Sequence, residues 1–359
     1  MAATTYTVEE EPTLLHPDGT LDPAGKGLLS TEQLLEALRL MLLSRANDEL
    51  AVSLQRQGRV NIHAPTAGQE ASVVGSALAL DPSKDWVAPQ YREFPAYVRQ
   101  GLPLVTVWLA RLGLGPMGTI PPGVRMLPVQ IAIAAQIPQG VGLAWGLRLM
   151  GTDAVTLTYF GDGAASEGDF HEGANLAGVV AAPVVLFCQN NGWAITTPRS
   201  RQTAAPTIAS RSIGYGMPGV VVDGNDLFAV YRATSEAVAR GRRGDGPTLI
   251  ESITYRMGMH NTSDDPTRYM SQTELESWAE RDPVVRLQRH LEQEGIIDEP
   301  AIAELKLELR AELEDALREA EVIAAAVDPV AVMFDHIFED PPARQQTQRA
   351  EAERWASHA

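Results

Sequence analysis

The residues best suited to chemistry sit at the ends of two apolar runs. Gly161-Asp162-Gly163 closes the run Val155 to Phe160, and Asn190-Asn191 lies just past the run Pro183 to Cys188, with 26 residues, 164–189, between Gly163 and Asn190. A magnesium ion takes hard oxygen ligands in near-octahedral geometry and is usually bound by a few protein oxygens plus substrate phosphates. Asp162 and Asn191 would supply two such oxygens. Gly161 and Gly163 let the backbone approach a phosphate closely, and a following helix N-terminus favours negative charge. The pairing predicts a metal and a diphosphate sharing one pocket, although Gly-Asp-Gly and Asn-Asn-Gly taken singly also read as ordinary turns.

Those residues need elements to bring them together. The two apolar runs read as strands, and 168–180 between them as a helix, which makes a βαβ unit. A right-handed crossover puts both strand ends on one edge of a parallel sheet, where open α/β sheets bind ligands. Val220 to Gly224 and Thr248 to Ile253 read as two further parallel strands around a helix from Leu227 to Arg240, and Trp86-Val87-Ala88 as a short one. The fold class expected is α/β, a doubly wound, mostly parallel sheet flanked by helices, with a helical C-terminal region.

Around this frame, Ser30-Thr31-Glu32-Gln33 fits a capping box ahead of Leu34, Leu35, Leu38, Met41, Leu42 and Leu50 at helical spacing, and Thr66-Ala67-Gly68-Gln69 fits a second, opening a helix to about Leu80. Helices are also expected over 94–111, 130–150, 272–291 and 300–326, with a Gly-, Pro- and Met-rich loop from 113 to 128. Residues 255–275 are polar and irregular, either a lid over a site or a surface loop. The domain reading is an extended arm over 1–29, available to wrap a partner subunit, one α/β domain over 30–340 including the amphipathic C-terminal helices, and a polar tail over 341–359.

Composition narrows the function. A formal charge of −17 over 359 residues repels nucleic acid, so no such partner is expected. No apolar stretch reaches membrane-spanning length and the start lacks a signal pattern, so the chain is read as soluble and cytoplasmic with no membrane partner. The single Cys188 lies inside an apolar strand and reads as core.

Taken together, Gly161 to Glu167 with Asn190-Asn191, the loop Gln90-Tyr91-Arg92, the segment Gln136-Ile137-Pro138-Gln139, and Tyr255-Arg256 through His260-Asn261-Thr262-Ser263-Asp264-Asp265 resemble the alpha subunit of the thiamine diphosphate-dependent, decarboxylating first component of 2-oxo acid dehydrogenase complexes. The resemblance covers roughly residues 30 to 340. The Thr-Ser-Asp-Asp and Ala-Ser-Glu-Gly-Asp runs look closer to branched-chain members acting on 3-methyl-2-oxobutanoate than to pyruvate members, with pyruvate or acetoin dehydrogenase as the alternative.

The resemblance implies that Asp162, Asn191 and the backbone carbonyl of Trp193 hold magnesium, that the Gly163 and Ala164 backbone binds the diphosphate of thiamine diphosphate, and that Tyr91 and Arg92 contact that diphosphate. The fork of an Arg suits phosphate oxygens. Ile133 matches the side chain that props the cofactor into a bent shape, and Ile195 a further cofactor contact. Gln90, Tyr91 and Ile131 would line half of a substrate pocket. His260 matches the catalytic histidine of the mobile loop. An imidazole titrating near neutrality would hydrogen-bond a developing oxyanion or pass a proton to the lipoyl thiol.

Departures from the pattern matter too. Arg125-Met126-Leu127-Pro128 runs almost directly into Val129-Gln130, which shortens an entrance loop. Gln189 stands where many relatives place a phosphate-binding Arg. Gln130, Ala132 and Ala135 replace the Ser, Pro and Thr of the family's potassium site, which argues against potassium there. Asn261 replaces the regulatory phosphoserine of mitochondrial relatives. Thiamine chemistry also needs a carboxylate on the aminopyrimidine ring, and no second α/β domain for that ring is evident. The activating Glu would come from a beta subunit in an α2β2 heterotetramer, and the acyl group would pass to a lipoyl-bearing transacylase. Two rivals stand beside this reading: a nucleotide- or phosphosugar-binding protein using residues 161–163 as a phosphate loop, and a non-catalytic scaffold subunit with a decayed pocket.

Overall fold

Residues alternate across the strands so that each face of the sheet acquires its own core. Leu157, Tyr159, Val185 and Phe187 point into one buried cluster, while Phe160, Val184, Leu186 and Cys188 point into another. A sheet buried on both faces needs helices on both, which is the doubly wound architecture. The computed structural model describes residues 6–114, 119–335 and 337–357, and it shows this arrangement.

In chain order the elements are β1 (Val8–Glu10), α1 (Thr31–Arg56), α2 (Glu70–Leu78), β2 (Trp86–Ala88), α3 (Phe94–Arg99), α4 (Leu104–Arg111), α5 (Gln136–Leu149), β3 (Thr156–Gly161), α6 (Gly168–Val179), β4 (Val184–Asn190), the hairpin β5 (Trp193–Ala194) and β6 (Thr197–Pro198), β7 (Gly219–Asp223), α7 (Leu227–Arg242) and β8 (Thr248–Ile253). Five helices follow: α8 (Gln272–Ala279), α9 (Pro283–Gln293), α10 (Glu299–Ala325), α11 (Pro329–Phe334) and α12 (Ala343–Ala356). The six-stranded sheet has the order β1-β7-β8-β4-β3-β2 and every pairing in it is parallel. Helices α1, α2 and α7 cover one face, with α5 and α6 on the other. Gly140 lets α5 lie directly on β3, because a Cβ there would run into Thr158 Oγ1.

Several sequence expectations shift, each for a local reason. The arm over 1–29 does not stand free: Val8–Glu10 pairs with Gly219–Val221 as an edge strand, and the backbone N–H groups of Leu14 and Leu15 donate to Asp226 Oδ2 at 2.6 and 2.9 Å. Residues 1–5 lie outside the described residues. The tail over 341–359 contains α12. Ser30 forms its capping box with Gln33, whereas Thr66 does not cap α2. Its hydroxyl donates to Arg92 O instead, and α2 begins at Glu70 without a side-chain cap.

The expected helix 130–150 begins only at Gln136. Pro138 has no N–H to give to Ala134 and is tolerated only in a first turn, and Ala134 adopts φ +71. Leu102-Pro103 likewise divides 94–111 into α3 and α4, and Asp282-Pro283 divides 272–291 into α8 and α9. Part of the expected loop 113–128, residues 115–118, lies outside the described residues. Its far end runs beside β2, with Val87 N donating to Arg125 O at 3.1 Å and Leu127 N to Val87 O at 2.8 Å. Among the described residues no helix is long and apolar enough to cross a membrane.

Candidate active site

The tips of β3 and β4 set the site. Gly161 lies opposite Gln189, so Asp162 and Asn191 leave the same edge of the sheet from neighbouring strands. Both are buried, and both line one cavity of about 350 Å3. Asp162 Oδ2 accepts a hydrogen bond from Gln202 Nε2 at 2.6 Å. Asn191 Oδ1 accepts from Trp193 N at 3.1 Å, and its Nδ2 donates to Gln69 Oε1 at 3.1 Å.

Asp162 has no ion-pair partner among the described residues, and burial pushes its carboxyl above the ordinary range despite the bond from Gln202. A buried carboxylate in that state is what a divalent cation would neutralise. The Asn191 oxygen keeps a second lone pair for such an ion. Among the described residues no three His, Cys, Asp or Glu side chains gather at a metal-ligand spacing. The available donors are therefore carboxylate, amide and backbone oxygens, a hard set that fits magnesium.

The walls are built from four segments. Gly163 and Ala164 open the turn into α6, and a Cβ on Gly163 would fall 2.8 Å from Ala194 Cβ, so glycine there lets the β5–β6 hairpin close against the turn. Ile195 sits in the turn of that hairpin at φ +57, a left-handed conformation rare for a β-branched residue and worth roughly 1–3 kcal/mol of strain. Arg256 holds it there, Nη2 donating to Ile195 O at 2.9 Å. Ile131 and Ile133 line the cavity, the first largely exposed and the second partly so. Gln90 Oε1 accepts from Gly161 N at 3.0 Å, tying the loop after β2 to the tip of β3.

Arg92 joins this loop to the 255–271 segment. Its Nη1 donates to Pro65 O at 2.6 Å, and its Nη2 reaches His260 O at 2.7 Å and His260 Nδ1 at 2.8 Å. Tyr91 meets the His260 ring edge-on at 6.4 Å. Since Nδ1 faces two guanidinium groups, with Arg256 Nη1 at 3.4 Å, it serves as acceptor and the proton sits on Nε2. Burial first, then Arg92 and Arg256, push the His260 pKa down to about 4, with Asp264 opposing. The expectation of titration near neutrality is corrected accordingly: in this state His260 is a neutral donor. The stretch expected to be irregular over 255–275 ends in α8 from Gln272; before it, His260 and Asn261 line the cavity and Tyr269 OH binds both Arg256 and Asp264, so this part lies over the site.

All twelve residues singled out from the sequence, Gln90, Tyr91, Arg92, Ile131, Ile133, Asp162, Gly163, Ala164, Asn191, Trp193, Ile195 and His260, line this one cavity. Gln189 also lines the cavity; its Nε2 donates to Glu93 Oε1 at 2.6 Å, satisfying a carboxyl that burial has pushed upward, while its buried Oε1 has no hydrogen-bond partner among the described residues. Sequence reasoning missed Gln202 and Gln69, the bonds that hold the two candidate metal ligands. It also missed the buried pair His63–Asp48, with Nε2 to Oδ1 at 2.8 Å, and Arg111. No local spacing marks any of these, because their partners lie on other elements.

The chain belongs to the family described as Dehydrogenase E1 component, which matches residues 38–326. Within it the domain is of the alpha type. The sequence is 44% identical over 315 residues to the pyruvate dehydrogenase E1 component subunit alpha of Staphylococcus epidermidis and 43% identical over the same length to that of Staphylococcus aureus; in both cases 88% of this chain and 84% of the relative are covered. The family implies thiamine diphosphate as cofactor, and the chain is the alpha subunit of a 2-oxo acid dehydrogenase first component.

Proposed function

We propose that this chain supplies the diphosphate-binding half of an enzyme that oxidatively decarboxylates a 2-oxo acid and passes the acyl group to a lipoyl-bearing transacylase. One observation carries the reading: a buried Asp162, without an ion-pair partner among the described residues, shares its cavity with Asn191, Arg92 and His260. Asp162, Asn191 and the Trp193 carbonyl would hold magnesium, and the Gly163–Ala164 turn with Tyr91 and Arg92 the diphosphate. Thiamine diphosphate supplies the electron sink for loss of carbon dioxide. His260, neutral with Nε2 protonated, would donate a hydrogen bond to an oxygen gaining charge. Ile131, Ile133 and Ile195 would exclude water from the reacting end.

Among 2-oxo acids the reading favours pyruvate over the branched-chain acid that the Thr-Ser-Asp-Asp run suggested, because the similar relatives are named pyruvate dehydrogenase subunits. A beta subunit completes the site, supplying the activating Glu in an α2β2 assembly; the bare apolar side chains Trp145, Leu149, Met150 and Val179 on α5 and α6 favour such a partner. A cytoplasmic location belongs to the same reading. The test is magnesium-dependent thiamine diphosphate binding by the chain co-expressed with its beta-type partner. Asp162→Asn should weaken it at least tenfold, and the chain alone should decarboxylate no 2-oxo acid. Unchanged binding in Asp162→Asn, or turnover by the isolated chain, would refute the proposal.

A further inference from the structure

Two guanidinium groups line the cavity without an ion-pair partner among the described residues, Arg92 and Arg111, and of the two Arg111 has the fewer hydrogen-bond acceptors. Arg111, the last residue of α4, is only 7% exposed and lines the wall that Asn61, Ile62 and His63 share with α4. Among the described residues its guanidinium makes a single hydrogen bond, Nη1 to Asn47 Oδ1 at 2.7 Å. Its carbon lies 4.8 Å from the Trp108 ring centroid and 6.0 Å from that of Phe94. Asp48 is the acid that acts on it through space, but both Asp48 oxygens are taken, Oδ1 by His63 Nε2 and Oδ2 by the backbone N–H groups of Thr66 and Ala67.

Other buried guanidinium groups are better satisfied. Arg286 pairs with Asp223 at 2.9 Å. Arg92 gives its donors to Pro65 O and His260, and Arg256 to Gly258 O, Ile195 O and Tyr269 OH. Arg111 has five N–H donors and one acceptor. Burial pushes its pKa down to about 10, so it stays charged at neutral pH. A buried, unpaired cation beside a cavity is costly unless an anion enters.

We propose that Arg111 is a carboxylate-binding subsite on the α4 wall of the cavity and helps select the acid that this chain handles. The free edge of the guanidinium suits a carboxylate held side-on, and Ile62, Phe94 and Val107 give that wall an aliphatic and aromatic lining for a carbon chain. Two sources offer this chemistry: the C1 carboxylate of a monocarboxylic 2-oxo acid, or a distal carboxylate on a dicarboxylic one. The anion site stands on its own geometry; its role in substrate choice rests on the function proposed above.

The experiment uses the chain co-purified with its beta-type partner and two unreactive probes, propionate and glutarate, in calorimetric titrations. Wild type should bind at least one of them, and Arg111→Met should weaken that binding tenfold or more, equal to about 1.4 kcal/mol. Arg111→Lys, which keeps the charge without the fork, should fall between. Tight glutarate with weak propionate assigns the distal carboxylate, and comparable affinities assign C1. In parallel, Arg111→Met should raise KM at least tenfold for the matching acid, pyruvate or 2-oxoglutarate, with little change in kcat. Equal probe binding by wild type and both variants, or none by wild type, overturns the subsite. Arg111-dependent binding without turnover of any 2-oxo acid would instead remove the proposed function and leave the subsite standing.

Discussion

Replacing Arg92 with methionine is expected to raise the His260 pKa by about one unit. The ring sits near 4 instead of 6.5, lowered by burial, then Arg92, then Arg256. At about 1.36 kcal/mol per unit, that gap is roughly 3.4 kcal/mol between the two protonation states. The ring is only half-buried, so as a contribution to stability that figure is cut to about half by solvent screening. Arg92 is second among three lowering causes, which leaves it a minority share of the gap between 6.5 and about 4, about one unit. The folded pKa lies below the unfolded one, so between pH 6.5 and 4 the unfolded chain binds the extra proton and stability falls as pH drops through that window. His63, lowered first by burial and then by Arg111, adds to the same trend, so the comparison must be with wild type. The assay is a proton NMR titration of the imidazole Cε1–H signals. The chain has seven histidines, and a His260→Gln sample identifies the relevant one. In Arg92→Met that signal should titrate nearer 5, and the acid loss of stability, which starts near pH 6.5 in both chains, should level off at a higher pH and be smaller than in wild type. A His260 pKa unchanged or lower in a folded Arg92→Met chain would refute the electrostatic account of the loop.

Two further outcomes follow from strain and burial. Ile195→Gly removes a left-handed β-branched residue and should stabilise the chain by about 1 kcal/mol while weakening thiamine diphosphate binding; thermal melts with and without cofactor check both signs, and a lower melting temperature without cofactor would count against stored strain. Asp226→Ala deletes the cap of α7, made to Phe228 N and Ala229 N at 3.0 Å, together with the anchor for Leu14 and Leu15. It also leaves buried Arg286 short of an acid. A loss of about 3–5 kcal/mol is expected, with early proteolysis in the 6–20 segment. Resistance of that segment equal to wild type would argue that the arm is held by other contacts.

Much of this protein was legible because its signals are local. Strand alternation, the Gly-Asp-Gly and Asn-Asn turns, and the Ser30 capping box each act within a few residues, so β3, α6, β4, β7, α7 and β8 could be read from order and period alone. The parallel sheet then had to bring Asp162 and Asn191 to one edge. Pro138, Pro103 and Pro283 were visible as well, yet where they ended helices depended on which backbone N–H groups the rest of the fold required. Tertiary structure alone decided that Val8–Glu10 joins β7, that Thr66 serves Arg92 rather than α2, that Gln189 answers to buried Glu93, and that Arg111 has no ion pair among the described residues. It also decided the state of His260: one imidazole reads the same in any sequence, but its proton affinity depends on burial and on two guanidinium groups, Arg92 and Arg256. Only Arg256, four residues away, is a sequence neighbour. Arg92 lies 168 residues off along the chain, where no local pattern reaches.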